Sequence, residues 1–212
     1  VTDQAGQPGL RERKRIATRR SIRTAVLTLV LDRGLENVTV EDISREADVS
    51  PRTFFNYFAS KEDAILGDAP VVADERLLED FVAAGRGAVD DPHALLDGLG
   101  ELLGRAASES EPERAVMQLR RQLLRRYPDF LHRRLASMRA FEESLMVVVA
   151  RRLALQTGGD PDSRELRDRA RLVTLVAFAA LRHAWARWIE DEGGNLEEHV
   201  HEAFAELRTV VA

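Results

Sequence analysis

Residues Thr39 to Ala64, TVEDISREADVSPRTFFNYFASKEDA, leave few alternatives to two short helices joined by a tight turn. Thr39 is a good N-cap, and Asp42, three residues on, has the length to reach back to it as in a capping box. Val40, Ile43 and Ala47 then recur at helical spacing and give the first helix one apolar face. Ala47-Asp48-Val49 reads as the turn, because Asp tolerates left-handed or bridging backbone better than most residues. Ser50 caps the second helix, and Pro51 stands at its first position, where a missing N–H costs nothing. Phe54 and Phe58, four apart, face inward. Arg52, Thr53, Phe55, Asn56 and Tyr57 are left pointing mostly outward, and Ser60-Lys61-Glu62-Asp63 starts a third helix.

That outward set carries chemistry. Arg fits guanine O6 and N7, and Asn fits adenine N6 and N7. A Thr methyl or a Phe edge packs on the thymine methyl, while Thr and Tyr hydroxyls and Lys reach phosphates. The spacing alone also allows a plain αα-hairpin with an aromatic core. Beyond it, Ile22, Ala25, Leu29, Gly34, Thr39, Ile43, Ala47, Val49-Ser50, Thr53-Phe54, Tyr57-Phe58 and Ser60-Lys61-Glu62 resemble the DNA-binding signature of the tetracycline-repressor (TetR) family over residues 11–66. Asp48 stands where that family usually has Gly, and Phe55 where it often has Tyr. The resemblance implies an all-α fold: a three-helix, helix-turn-helix head at 1–66 on a larger helical-bundle body at 67–212. It also implies a homodimer joined by its last two long helices. The DNA-contact residues expected are Thr39, Ser50, Pro51, Arg52, Thr53, Phe55, Asn56, Tyr57 and Lys61. A repressor released from its operator by a small lipophilic effector is the function implied; the TFFNYF-x-SKE ending is similar to members that answer to acyl-CoA-like compounds. A ligand-independent or activating regulator is the alternative within the family.

Charge supports a basic head. The formal net charge is −5 over 212 residues, yet residues 11–61 hold eleven Arg or Lys against seven Asp or Glu, while residues 62–212 hold twenty against twenty-eight. Phosphate attraction is local, screened within roughly 8 Å at physiological salt, so distribution matters more than the total. Arg11, Arg13, Lys14, Arg15, Arg19 and Arg20, opposed by Glu12 alone, suit an arm along phosphates or in a minor groove. Residues 1–10 read as disordered.

The rest reads as helices. One runs from 11 to 33 and stops at Gly34. Gly67-Asp68-Ala69-Pro70 interrupts the next, and Asp68 could cap its continuation to about 84. Helices follow at about 93–107, from a capping box at Ser110-Glu113 to 126, at 129–156, from Asp162 or Ser163 to 191, and from the Asn195-Glu198 capping box to 210. The stretch Leu172 to Leu181 carries no charge on any side, so burial all round by a second subunit is expected. At ten residues it is far short of a membrane span. No cysteine occurs, which excludes a disulfide framework and a thiolate metal site and leaves the compartment unread from redox. With no signal-like N-terminus, a soluble cytoplasmic protein without a cofactor is the expectation. Leu99, Leu103, Met117, Phe141, Leu145, Phe178 and Trp185 are candidates to line an effector cavity, although each suits plain core as well. A helical-bundle enzyme is the competing class. Its one lead, Glu198-x-x-His201, is half of a di-iron pattern that needs two such motifs and two further carboxylates, so neither a metal nor a catalytic site is expected.

Overall fold

The computed structural model describes residues 9–67, 74–87, 93–109, 113–191 and 193–210. These fold as helices, with no strand among the described residues. They are α1 (Leu10–Arg33), α2 (Val40–Glu46), α3 (Pro51–Tyr57), α4 (Lys61–Leu66), α5 (Glu75–Ala83), α6 (Ala94–Glu109), α7 (Arg114–Arg126), α8 (Pro128–Thr157), α9 (Arg164–Glu190) and α10 (Leu196–Val210). Short 3₁₀ turns occupy Leu35–Asn37 and Ala84–Gly87. Asp68, Pro70 and the Ser110–Pro112 part of the expected capping box lie outside the described residues, as do residues 1–8. The cap that opens α5 is Asp74, whose carboxylate accepts from the Arg76 N–H at 2.8 Å.

Two compact units form. One takes the described residues within 1–68 together with 115–134; the other takes those within 69–114 and 135–212. The first unit, the head, therefore packs more chain than the expected 1–66. Its core joins Ile22, Val26 and Val30 of α1, Ile43 of α2, Phe54 of α3 and Ile65 of α4 with Val116 and Leu123 of α7 and Phe130 of α8. Polar contacts pin the same segments. Arg120, buried, donates from Nε to the Ile65 carbonyl at 2.9 Å, and the Leu35 N–H donates to the Tyr127 hydroxyl at 3.1 Å. Arg126 reaches the Leu31 carbonyl at 2.7 Å. Carbonyls in the last turn of a helix have no partner within it, so a guanidinium there satisfies an otherwise orphaned acceptor. Gly67 makes the close approach possible. Its φ is 69°, in the left-handed region, and a Cβ would lie 2.6 Å from Arg120 Nη2.

The second unit, the body, is built around α10, which packs on both α6 and α9. Leu196, Val200, Ala203 and Phe204 of α10 are all buried there within their own chain. Gly100 of α6 permits the contact, since a Cβ would stand 3.0 Å from that of Phe204. Arg152 of α8 is 3% exposed and stacks 4.5 Å over the Phe81 ring. It donates to the carbonyls of Phe81 at 2.9 Å and Ala94 at 2.7 Å, tying α5 to the start of α6. Burial pushes its pKa below the usual arginine value.

The expected all-round burial of Leu172 to Leu181 does not occur within one chain. Thr174, Ala177, Ala180 and Leu181 are buried, whereas Leu172 is 63% and Leu175 45% exposed. A helix presents only part of its circumference to the neighbours its own chain supplies, and here one stripe stays bare.

Candidate nucleic-acid interface

The head's second and third helices are set by local hydrogen bonds. Thr39 Oγ1 accepts the Asp42 N–H at 3.1 Å, and Asp42 Oδ2 accepts both the Thr39 N–H at 3.1 Å and its hydroxyl at 2.7 Å. The Thr39 hydroxyl, then its N–H, hold the Asp42 carboxyl below the ordinary carboxylate range. A depressed folded-state pKa means that this cap is complete above the ordinary value and is lost only as pH falls through the lower one. After α2, Asp48 N–H meets the Arg45 carbonyl at 3.3 Å and Val49 N–H the Ser44 carbonyl at 2.9 Å, the paired bonds of a Schellman turn. Asp48 bears its left-handed residue, φ 55°, the one non-glycine positive φ among the described residues. A Cβ there is mildly strained, which Gly would avoid. Ser21 of α1 donates to the Ala47 carbonyl at 3.1 Å and fastens the turn to the long helix.

Ser50 Oγ accepts the Thr53 N–H at 3.0 Å and lies 2.8 Å from Thr53 Oγ1, with Pro51 at the first helical position of α3. Phe54 is fully buried and Phe58 is 5% exposed. Arg52, Phe55 and Asn56 are exposed, while Thr53 and Tyr57 are half-buried. Positions three and four apart share a helix face, so Arg52, Phe55 and Asn56 form one outward surface. Among the described residues, no hydrogen bond or ion pair engages the side chain of Arg52 or Asn56.

The remaining contact candidates are less free. The Thr39 hydroxyl is spent in the cap. Lys61 Nζ donates to the Leu35 carbonyl at 2.8 Å and the Val38 carbonyl at 3.0 Å, so two of its three protons hold the segment ahead of α2. Sequence reasoning missed that role, because the partners lie more than twenty residues away. It also missed Arg23 of α1 and the stacking of Arg19, whose guanidinium groups stand 5.6 and 4.9 Å over the Phe58 ring. At the start of α1, Glu12 pairs with Arg15 at 2.6 Å.

The candidate effector residues divide between the units. Leu99, Leu103, Phe141, Leu145 and Phe178 belong to the body, where the Phe141 and Phe178 rings meet at 5.4 Å between centroids. Met117 packs against the head core. A groove of about 350 Å³ opens on the head, along Ala17, Arg20, Ser21 and Thr24 of α1 and Glu46 of α2. Glu198 is engaged in its capping box with Asn195, at 3.0 and 2.8 Å, and exposed His201 lies 3.4 Å from Glu101. No group of three or more His, Cys, Asp or Glu suited to a metal occurs among the described residues. No described helix is long and apolar enough to cross a membrane.

Residues 22–65 match the family model for bacterial regulatory proteins of the tetR family. The HTH-type transcriptional regulator TcmR of Streptomyces glaucescens is 35% identical over 158 residues, covering 72% of this chain and 68% of that protein. The chain belongs to the tetR family. A putative mycofactocin biosynthesis transcriptional regulator, MftR of Mycobacterium tuberculosis, is 26% identical over 91% of this chain and 90% of its own length. Among solved structures, a transcriptional regulator (TerR/AcrR family) from Aquifex aeolicus VF5 aligns with 91% of this chain and 99% of that one, at 18% identity and a TM-score of 0.47. As a tetR-family member the protein is a DNA-binding transcriptional regulator, and α2 and α3 are its helix-turn-helix.

Proposed function

We propose that this tetR-family regulator is a repressor. Two copies hold a near-palindromic operator, and a small lipophilic molecule taken up by the body releases them. The observation that carries the DNA half is the α3 face of Arg52, Phe55 and Asn56, exposed and, for the two polar residues, without partners among the described residues. In this reading Arg52 and Asn56 meet base edges. Thr39, Ser50, Pro51, Thr53, Tyr57 and Lys61 keep the helix in register on the backbone, and the basic start of α1 adds phosphate contacts. The division of labour is residues 1–66 for DNA and 67–212 for effector and second copy, with residues 115–134 lending packing to the head. A regulator of this kind works in the cytoplasm.

Band-shift titration over salt, with DNA selected by the purified protein, tests the reading. Arg52→Ala is expected to cost about 1–3 kcal/mol on the selected site and to relax preference at one base pair. Lys61→Ala should weaken every sequence and also lower the melting temperature, because it removes two carbonyl contacts in the head. Uniform loss of affinity in Arg52→Ala, with preference intact, would remove that residue from base reading.

The dimer is supported by the bare stripe on α9. Leu172, Leu175 and Ala179 are exposed at helical spacing, and Val147 and Leu155 of α8 are exposed too. The apolar stripe of α10 is already used inside its own chain, so α9 supplies most of the uncovered apolar surface of the proposed α9–α10 contact. Two-fold symmetry would set the recognition helices on successive major grooves, roughly 34–36 Å apart.

Release follows if the effector prefers a head spacing that misfits the operator, a coupling of about 1–3 kcal/mol or 5–150-fold. Leu145, 2% exposed in the body, is the residue to enlarge. Lipophilic compounds, acyl-CoAs among them, are to be screened by thermal shift and each hit retested for operator release. Leu145→Trp is expected to abolish release at unchanged operator affinity. Compounds that stabilise the protein yet never weaken operator binding would remove induction from the reading.

A further inference from the structure

Phe55 is not a core residue. Phe54 fills the head core and Phe58 lies beneath Arg19 and Arg23, whereas Phe55 is 57% exposed. Its ring meets Phe54 edge-on, 5.4 Å between centroids, so one side is braced by a buried residue while the rest faces outward. Isolated exposed apolar residues are common on proteins, but this one borders a polar reading face. Arg52 lies one turn before it on the same side of α3, Asn56 follows Arg52 one turn on, and both are exposed.

The partner of that face narrows what the ring can meet. Base edges in the major groove are donors and acceptors, with one apolar exception, the C5-methyl of thymine. An apolar plate beside two hydrogen-bonding side chains is complementary to a methyl beside polar base edges. We propose that Phe55 is a specificity residue that reads the C5-methyl of one thymine in each operator half-site, next to the bases met by Arg52 and Asn56. This rests on the DNA-reading face assigned above. A tyrosine would carry a hydroxyl at the ring tip, better suited to a phosphate than to a methyl. Phenylalanine removes that polar group and leaves the apolar edge, so this position reads a base in place of holding the backbone.

Deoxyuridine in place of thymine deletes the methyl and keeps every hydrogen-bonding group, which isolates the contact. The full-length protein is used to select its operator from random duplexes. Each thymine of one half-site, with its symmetry mate, is then replaced in turn. At one position the wild type should lose about fourfold in affinity per half-site, the worth of one buried methyl group. Phe55→Ala should bind the thymine and deoxyuridine operators equally, with little change in melting temperature because most of the ring is exposed. Phe55→Leu, which keeps an apolar contact, should retain part of the discrimination. A complete scan with no sensitive thymine, or a sensitive one whose effect survives Phe55→Ala, overturns the proposal while leaving DNA binding intact. Failure to enrich any sequence from the pool would overturn the DNA-reading face itself, and this inference with it.

Discussion

Phe54→Ala is expected to lower the unfolding free energy by about 3–5 kcal/mol, the range for deleting a fully buried aromatic ring. The residue is 0% exposed and stands at the inner side of α3, with its centroid 6.0 Å from that of Phe58. Its removal opens a cavity in the head core, which α1, α2, α3 and α4 share. A loss of that size is a large part of the roughly 5–15 kcal/mol that holds an ordinary domain together. Operator binding should therefore fall with head stability, and do so far below the melting temperature of the wild type. Phe55→Ala makes the internal control. It deletes the same atoms one residue along, at a site 57% exposed, and should change stability by no more than about 0.5 kcal/mol. Guanidinium unfolding followed by far-ultraviolet circular dichroism measures both. Similar losses for the two variants would mean that α3 does not present these faces as described.

Leu175→Asp is expected to turn the proposed dimer into folded monomers and to weaken operator binding about 10²–10⁴-fold, the scale lost when two linked binding events become one. Leu175 is 45% exposed within its own chain, so a carboxylate there is hydrated in the monomer and costs the fold little. Across a two-fold interface the same carboxylate appears twice and must leave water without a partner. Leu172, at 63% exposure one turn earlier, reinforces the effect in a double variant. Val176, half-buried in its own chain, would confuse loss of assembly with loss of fold. Light scattering gives the mass, and circular dichroism confirms retained helix. An unchanged dimer mass for the double variant would exclude this face of α9 as the contact.

The helix ends were legible because their determinants span three or four residues. Thr39 with Asp42, Ser50 with Thr53, Ser60 with Asp63 and Asn195 with Glu198 all make the hydrogen bonds that their spacing announces. The inward turn of Phe54 and Phe58, and the exposure left to Arg52, Phe55 and Asn56, follow from the same helical period. Family membership was legible in one short stretch, because a helix-turn-helix packs many of its constraints into consecutive residues.

Other features depended on which distant segments meet, and no local rule fixes that. The ammonium of Lys61 crosses 23 and 26 residues to two carbonyls, Arg120 crosses 55 to α4, and Tyr127 crosses 92 to the segment after α1. A basic or aromatic residue in a helical pattern reads alike whether it faces water, DNA or a buried carbonyl. The period of the sequence fixes the angle at which a side chain leaves its helix, and only the packing decides what stands there. The apolar stripes of α9 and α10 show the difference best. Both look equally in need of cover, yet the chain buries Val200 and Phe204 against its own α6 and α9 and leaves Leu172 and Leu175 bare. Amphipathic period determined that each helix would bury a face. The finite number of helices in the bundle decided which face found a neighbour within the chain and which stayed bare.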